Sequence, residues 1–299
     1  MRVILRWFKY AVGLGVIAAS AGLWITRPNP LPETALSSVT GDPIAGEGVF
    51  AAAGCASCHS SPDASGEARL VLSGGRAFAS DFGVFYAPNI SPDPTHGIGE
   101  WSDTQIASAL LRGVGREGAH LYPALPYAAY NKMTLQDAAD LIAYLRTLPS
   151  DQTPNKPHDI GFPFNIRLAL GGWKLLFERS DFVVTGDLTP EQTRGRYLVE
   201  ALGHCGECHT PRNALGGLQR DAWLSGAAIP GGNGRTPNIT PAKLGWSEAE
   251  IVEYLTSGFT PDFDTAGGEM AEVVKNTATL PIEDRAAIAA YLKVAPAIE

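Results

Sequence analysis

Apolar residues recur at three- and four-residue spacing along most of the chain, the signature of helices with one buried face. The clearest cases are "MTLQDAADLIAYLRTLP" and "LPIEDRAAIAAYLKVAP", in which Tyr144-Leu145 and Tyr291-Leu292 correspond. Ser102 with Gln105, and Ser247 with Glu250, form Ser-x-x-Glu/Gln capping boxes that predict helix starts. Gly113 and Gly258 stand where those helices should stop. Asp42-Pro43, and Thr189-Pro190 with Gln192, have the cap and first-turn residues of two more helices. No alternating strand pattern of useful length is present, so the pattern predicts an all-α chain.

The first residues follow another rule. Tyr10 to Ile25 is an uncharged apolar run, preceded by Arg2, Arg6 and Lys9. Counted from Val3 the segment is about 23 residues, enough to span a bilayer if Arg6 and Lys9 snorkel. "ASA" at 19–21 would also serve a signal peptidase, but the run continues through Leu23, Trp24 and Ile25, which favours a retained anchor. Either way, the basic flank keeps the N-terminus in the cytoplasm and exports the rest. The expected organisation is an anchor at 1–27, an extended proline-rich tether at 28–40, a domain at 41–149, a linker at 150–181 and a second domain at 182–299.

The two domains read as a repeat. "APNISPDPTHGIGEWSDTQIASALLRG" in the first corresponds to "TPNITPAKLGWSEAEIVEYLTSG" in the second, with Trp101 and Trp246 in parallel places. Composition fits a globular protein, with 45% hydrophobic and 18% charged residues. The formal charge is −8, and residues 31–299 hold 19 basic against 31 acidic side chains. That balance excludes nucleic acid as an expected partner and suits docking to a basic protein surface.

All four cysteines fall in "GCASCHSS" and "HCGECHTP", at Cys55, Cys58, Cys205 and Cys208, with His59 and His209 adjacent. Cys-x-x-Cys-His is the c-type haem attachment pattern: two thiols add to the two vinyl groups and the histidine reaches the iron. A zinc ribbon needs no histidine after each pair, and a thioredoxin-like pair needs a βαβ setting that is absent. The expected cofactors are therefore two covalently attached haem c groups. A haem also supplies the apolar body that domains of this size with short helices otherwise lack.

An iron that only carries electrons needs a second axial ligand. The two internal methionines, Met133 and Met270, fall one in each half, and thioether ligation raises the reduction potential. Both are expected as metal ligands, with Met270 presented by a flexible loop in "GGEMAEVV". His96, His120, His158 and His204 read as surface or structural histidines. "GVGREG" at 113–118 matches G-x-G-x-x-G, but a helix precedes it and prolines follow, so it is a loop. No motif for hydrolytic or phosphoryl-transfer chemistry is present, and no catalytic residue is expected.

From about residue 40 onward the chain resembles the membrane-bound multihaem cytochrome c subunits of periplasmic alcohol, gluconate or aldehyde dehydrogenases. The pieces that carry the resemblance are "GCASCH", "YAPNISPD", "GIGEWSD", "YNKMT", "HCGECHTPRNALGG", "TPNIT" and "GGEMAEVVKNTATL". It implies two tandem cytochrome c-like domains with Met133 and Met270 as sixth ligands. It further suggests that Pro88 or Pro237 orients the axial histidine through a backbone carbonyl. The family's alcohol dehydrogenase members carry three haem motifs, and this chain has two. The expected function is electron transfer at the periplasmic face of the inner membrane. The donor would be a periplasmic dehydrogenase or small molecule, and the acceptor a cytochrome, quinone or oxidase. A dihaem peroxidase or thiosulfate dehydrogenase, or a haem subunit of a terminal oxidase, is the alternative. The apolar stretch "FPFNIRLALGGWKLLF" is expected to pack between the domains or to dock a dehydrogenase or the membrane.

Overall fold

The computed structural model describes residues 2–299; Met1 and the side chains of Arg2, Val3 and Leu5 lie outside the described residues. Helix α1 (Arg2–Ile25) projects from the rest, and its Arg6–Ile25 window is apolar enough to cross a membrane with none of it buried. The first half then contains α2 (Pro43–Ala52), α3 (Cys55–His59), a hairpin of β1 (Ala77–Ser80) and β2 (Gly83–Tyr86), and α4 (Asp103–Arg112), α5 (Tyr127–Tyr130) and α6 (Leu135–Leu145). The connection holds β3 (Asp159–Ile160) and α7 (Ala169–Phe177). The second half contains α8 (Pro190–Tyr197), α9 (Gly206–His209), β4 (Ala227–Ala228), β5 (Arg235–Thr236), α10 (Glu248–Ser257), α11 (Glu269–Thr277) and α12 (Ile282–Leu292).

The caps read from sequence do the expected work. Asp42 accepts from the Ile44 N–H, and Ser102, Thr189 and Ser247 all close reciprocal capping boxes. Each half packs its first helix against its last. The contact is close because a glycine stands at the crossing. A Cβ on Gly46 of α2 would fall 2.0 Å from the Asp140 carbonyl oxygen of α6. One on Gly195 of α8 would fall 1.8 Å from that of Ala287 in α12. Arg194 adds a two-pronged ion pair to Asp284 across the second crossing, both contacts 2.8 Å. One continuous core joins the halves, from Val49, Leu141 and Ile142 to Leu198, Ile288 and Tyr291.

Two expectations need correction. The chain is mostly helical but not all-α: β1, β2 and β3 form an antiparallel sheet, and β4 pairs with β5. The strands are two to four residues long, too short for a period of two to stand out. The segment expected as an extended tether is instead strapped to α4. The Leu31 N–H donates to Ser108 Oγ at 2.9 Å, Thr104 Oγ1 donates to the Glu33 carbonyl, and Leu31 and Leu36 pack on the core.

Candidate cofactor site

The two Cys-x-x-Cys-His motifs form short helical turns, so each pair of thiols lies one turn apart with the histidine next in line. Gly54 enters the first turn in the left-handed region, at φ 64°. None of the four cysteines is paired in a disulfide. Burial pushes Cys55 and Cys205 up to about 12 and Cys58 to about 11, and moves Cys208 in the same direction. Burial thus opposes thiolate formation, the reverse of the lowered pKa that makes a dithiol a redox catalyst. Among the described residues no three His, Cys, Asp or Glu side chains gather into a cluster.

The histidines have identical settings. His59 Nδ1 lies 2.8 Å from the Pro88 carbonyl oxygen, and His209 Nδ1 lies 2.8 Å from that of Pro237. A carbonyl only accepts, so Nδ1 carries the proton and Nε2 keeps the lone pair. Burial holds both imidazoles below the usual histidine pKa, and the proline carbonyls partly oppose that shift. The surrounding loops repeat too. The His59 carbonyl accepts from the Gly74 N–H and that of His209 from Gly226, both at 2.7 Å. Gly74 and Gly226 are at φ 73° and 82°, and a Cβ on either would strike the backbone of Pro88 or Pro237. Asn89 and Asn238 then clamp each loop to the chain ending its half, through Asp151 and Ile298 carbonyls at 2.8 Å. A paired-thiol turn followed by a neutral imidazole with a free Nε2 suits covalent haem attachment with nitrogen ligation.

Met133 is buried in the core just before Thr134 caps α6, and its N–H donates to the Tyr130 carbonyl. Met270 departs from expectation. It is half-buried in the first turn of α11 and packs on the core, so a helix presents it and not a flexible loop. Gly267 and Gly268 are the entry to that helix. The "GGEM" pattern misleads because the polar residues of α11 face partners in the other half. Glu269 pairs with Arg76 at 2.8 Å, and Arg76 also donates to the Ser57 carbonyl inside the first motif at 2.7 Å. Glu272 pairs with Arg69 at 2.9 Å, and Asn276 donates to Ser57 Oγ at 2.7 Å.

Sequence reading also missed a joint between the two motifs. The Ala53 carbonyl, two residues before Cys55, receives Tyr130 Oη at 3.0 Å and His204 Nε2 at 3.3 Å. The Tyr130 and His204 rings meet edge to face at 5.6 Å. His204 holds φ 42°, and it follows a π-helical turn at Leu198–Leu202. Such bulges mark places where a helix is re-aimed. The signal in the sequence was only a histidine directly before Cys205. His120 and His158 are structural, as expected: His120 Nε2 donates to the Thr26 carbonyl, and His158 Nδ1 accepts from the Tyr86 N–H.

Below the joint, Glu200 is 1% exposed and accepts from the Val183 and Val184 N–H groups and from Tyr291 Oη. Tyr291 Oη in turn accepts from Trp223 Nε1 at 3.0 Å. The Trp223 ring covers Gly206 inside the second motif, where a Cβ would fall 2.2 Å from it. The buried carboxylate is thereby tied to the wall of the second motif.

A family model described as cytochrome c matches residues 44–149. A dihaem c-type cytochrome of Cereibacter sphaeroides is 58% identical over 98% of this chain and 99% of its own length. The cytochrome subunit of fructose dehydrogenase from Gluconobacter japonicus is 38% identical over 98% of this chain. The gluconate 2-dehydrogenase cytochrome c subunit of Pantoea cypripedii is 36% identical over 83% of this chain. The chain spans 61% and 58% of the lengths of those two subunits.

Proposed function

The chain belongs to the cytochrome c family, and from that premise we propose that it is a membrane-tethered dihaem electron carrier. In this reading Cys55 and Cys58 hold one haem and Cys205 and Cys208 the other. His59 and His209 are the nitrogen ligands, and Met133 and Met270 the sulfur ligands. The domains run from 41 to 149 and from 182 to 299, and α1 anchors them to the periplasmic face of the inner membrane. The observation that carries the reading is the duplicated histidine setting, with a proline carbonyl fixing Nδ1–H in both halves. The names of the dehydrogenase subunits it resembles support a dehydrogenase as donor, and the respiratory chain is the destination in this reading.

When bound, haem supplies a one-electron couple whose potential depends on its axial ligands. The protein's own residues do the rest. The Pro88 and Pro237 carbonyls fix the tautomer and orientation of each imidazole, and hydrogen bonding at Nδ1–H raises the basicity of Nε2. The core around Met133, against which Met270 packs, would favour the less charged oxidation state of a buried centre. In this reading the side chains hold, orient and insulate the haems, and the protein acts as an electron conductor.

The test is to express the chain with haem-maturation machinery and weigh it. Two haems are expected, and one after replacing Cys205 and Cys208 by alanine. A single haem in the unmodified chain refutes the dihaem reading. Met270→Ala should keep both haems but lose the near-infrared sulfur-to-iron band of one and lower one potential. A high-spin iron in the unmodified protein, reactive with peroxide, would instead identify an enzyme. Reduction by a dehydrogenase with its substrate, followed spectroscopically, checks the direction of flow.

A further inference from the structure

The connecting segment carries a feature that electron transfer does not use. Phe162, Phe164, Ile166, Leu168, Leu175 and Leu176 are each 45–80% exposed. Six large apolar side chains held in solvent within fifteen residues are unusual for a soluble surface. In α7 they follow a helical stripe. Leu168, Gly172, Leu175 and Leu176 share one face, and a Cβ on Gly172 would meet nothing within 4 Å. The opposite face is engaged: Lys174 Nζ donates to the Gly113 carbonyl at 2.9 Å and lies over the Tyr127 ring. The outer stripe is therefore not spare core.

Its place in the fold identifies what covers it. Gly171 of α7 abuts Thr26, the residue that follows α1; a Cβ there would fall 1.9 Å from the Thr26 carbonyl oxygen. His120 donates to the same carbonyl at 2.9 Å, which pins the junction. The stripe thus begins where the membrane-spanning helix emerges. At that junction Arg27 stacks on Trp24 at 4.5 Å, a pairing suited to the bilayer interface. The charge agrees. Residues 161–177 contain Arg167 and Lys174 and no acid, in a chain whose acids outnumber its basic residues by eight.

We propose that residues 161–177 are a second membrane contact, lying in the headgroup–acyl boundary beside the exit of α1 with lipid as the occupant. The proposal rests on the reading of α1 as an anchor. One helix alone would let the periplasmic halves swivel; a contact on the far side of the junction fixes which face they turn to the bilayer.

The test uses the full haem-loaded chain in nanodiscs containing a phosphatidylcholine with a photoactivatable acyl chain, with adducts mapped by mass spectrometry. Adducts are expected on 6–25 and on 161–177. Leu175→Gln with Leu176→Gln should reduce those on 161–177 by about tenfold and leave those on 6–25 unchanged. Gly172→Glu, which has open space for its side chain, should do the same. Haem absorption and far-ultraviolet circular dichroism report whether each variant is folded. Adducts confined to 6–25 overturn the second contact and leave the anchor standing. Adducts on neither segment overturn both. Adducts on 161–177 that persist in both variants overturn the assignment of the stripe.

Discussion

Gly46 and Gly48 are two residues apart in α2, yet alanine should have opposite effects at them. At Gly46 the new methyl would fall 2.0 Å from the Asp140 carbonyl oxygen and 2.8 Å from Tyr144 Cβ. Restoring an ordinary contact of about 3.4 Å moves α6 away by about 1.4 Å. Asp140 Oδ1 now accepts from the Asp42 N–H at 2.7 Å, and the same retreat would stretch that bond beyond hydrogen-bonding range. Overpacking costs about 1–3 kcal/mol. A lost hydrogen bond to a buried carboxylate costs about 1.5–3 kcal/mol. The better helix propensity of alanine returns about 1 kcal/mol. Gly46→Ala should therefore destabilise by about 1.5–5 kcal/mol. At Gly48 nothing lies within 4 Å, so Gly48→Ala should stabilise by about 0.5–1 kcal/mol. Guanidinium unfolding of the haem-loaded protein, followed by far-ultraviolet circular dichroism, measures both. Equal midpoints for the two variants, or a stabilised Gly46→Ala, would refute the close crossing of α2 and α6.

Tyr291→Phe removes a donor from Glu200 and the acceptor of Trp223 Nε1–H, and should cost about 2–4 kcal/mol in the same unfolding assay. His204→Ala loses the bond to Ala53 but keeps a left-handed backbone, whereas His204→Gly relieves that strain. The glycine variant should be the more stable of the two by about 1 kcal/mol, and equal stabilities would sink the strain argument. The Asp93 carboxyl accepts from the His96 and Thr95 N–H groups, bonds that hold it below the usual carboxylate range. Its contribution is present above the unfolded aspartate pKa of about 3.9 and disappears as pH falls through the lower folded value. An acid titration of stability should accordingly be shallower in Asp93→Asn than in the unmodified chain.

The helical scaffold was legible because its signals are local. A capping serine and a glutamate three residues on need only each other, so α4, α8 and α10 begin where the sequence places them. The motif spacing was legible for the same reason. The inter-half contacts were not, because they join residues far apart in sequence whose local patterns are silent. Asn276 and Ser57 are 219 positions apart, and nothing near either announces the other. "GGEM" misleads on this account: a helix whose Glu269, Glu272 and Asn276 find distant partners looks like a loop when read alone. The apolar linker divided between two explanations because periodicity reports an apolar face without saying what meets it. Structure resolves half of that question, by placing the inner face of α7 against Thr26, Gly113 and Tyr127 and the outer face in solvent.

The shared Ala53 carbonyl has a consequence for how the chain comes apart. Tyr130 and His204 hold one acceptor from two sides, and α11 reaches back across the same seam to Arg69, Arg76 and Ser57. The peptide between the halves is then a leash on partners already bound to each other. A single proteolytic nick near Pro154 would leave a non-covalent pair that co-migrates, and heating would melt both pieces in one step.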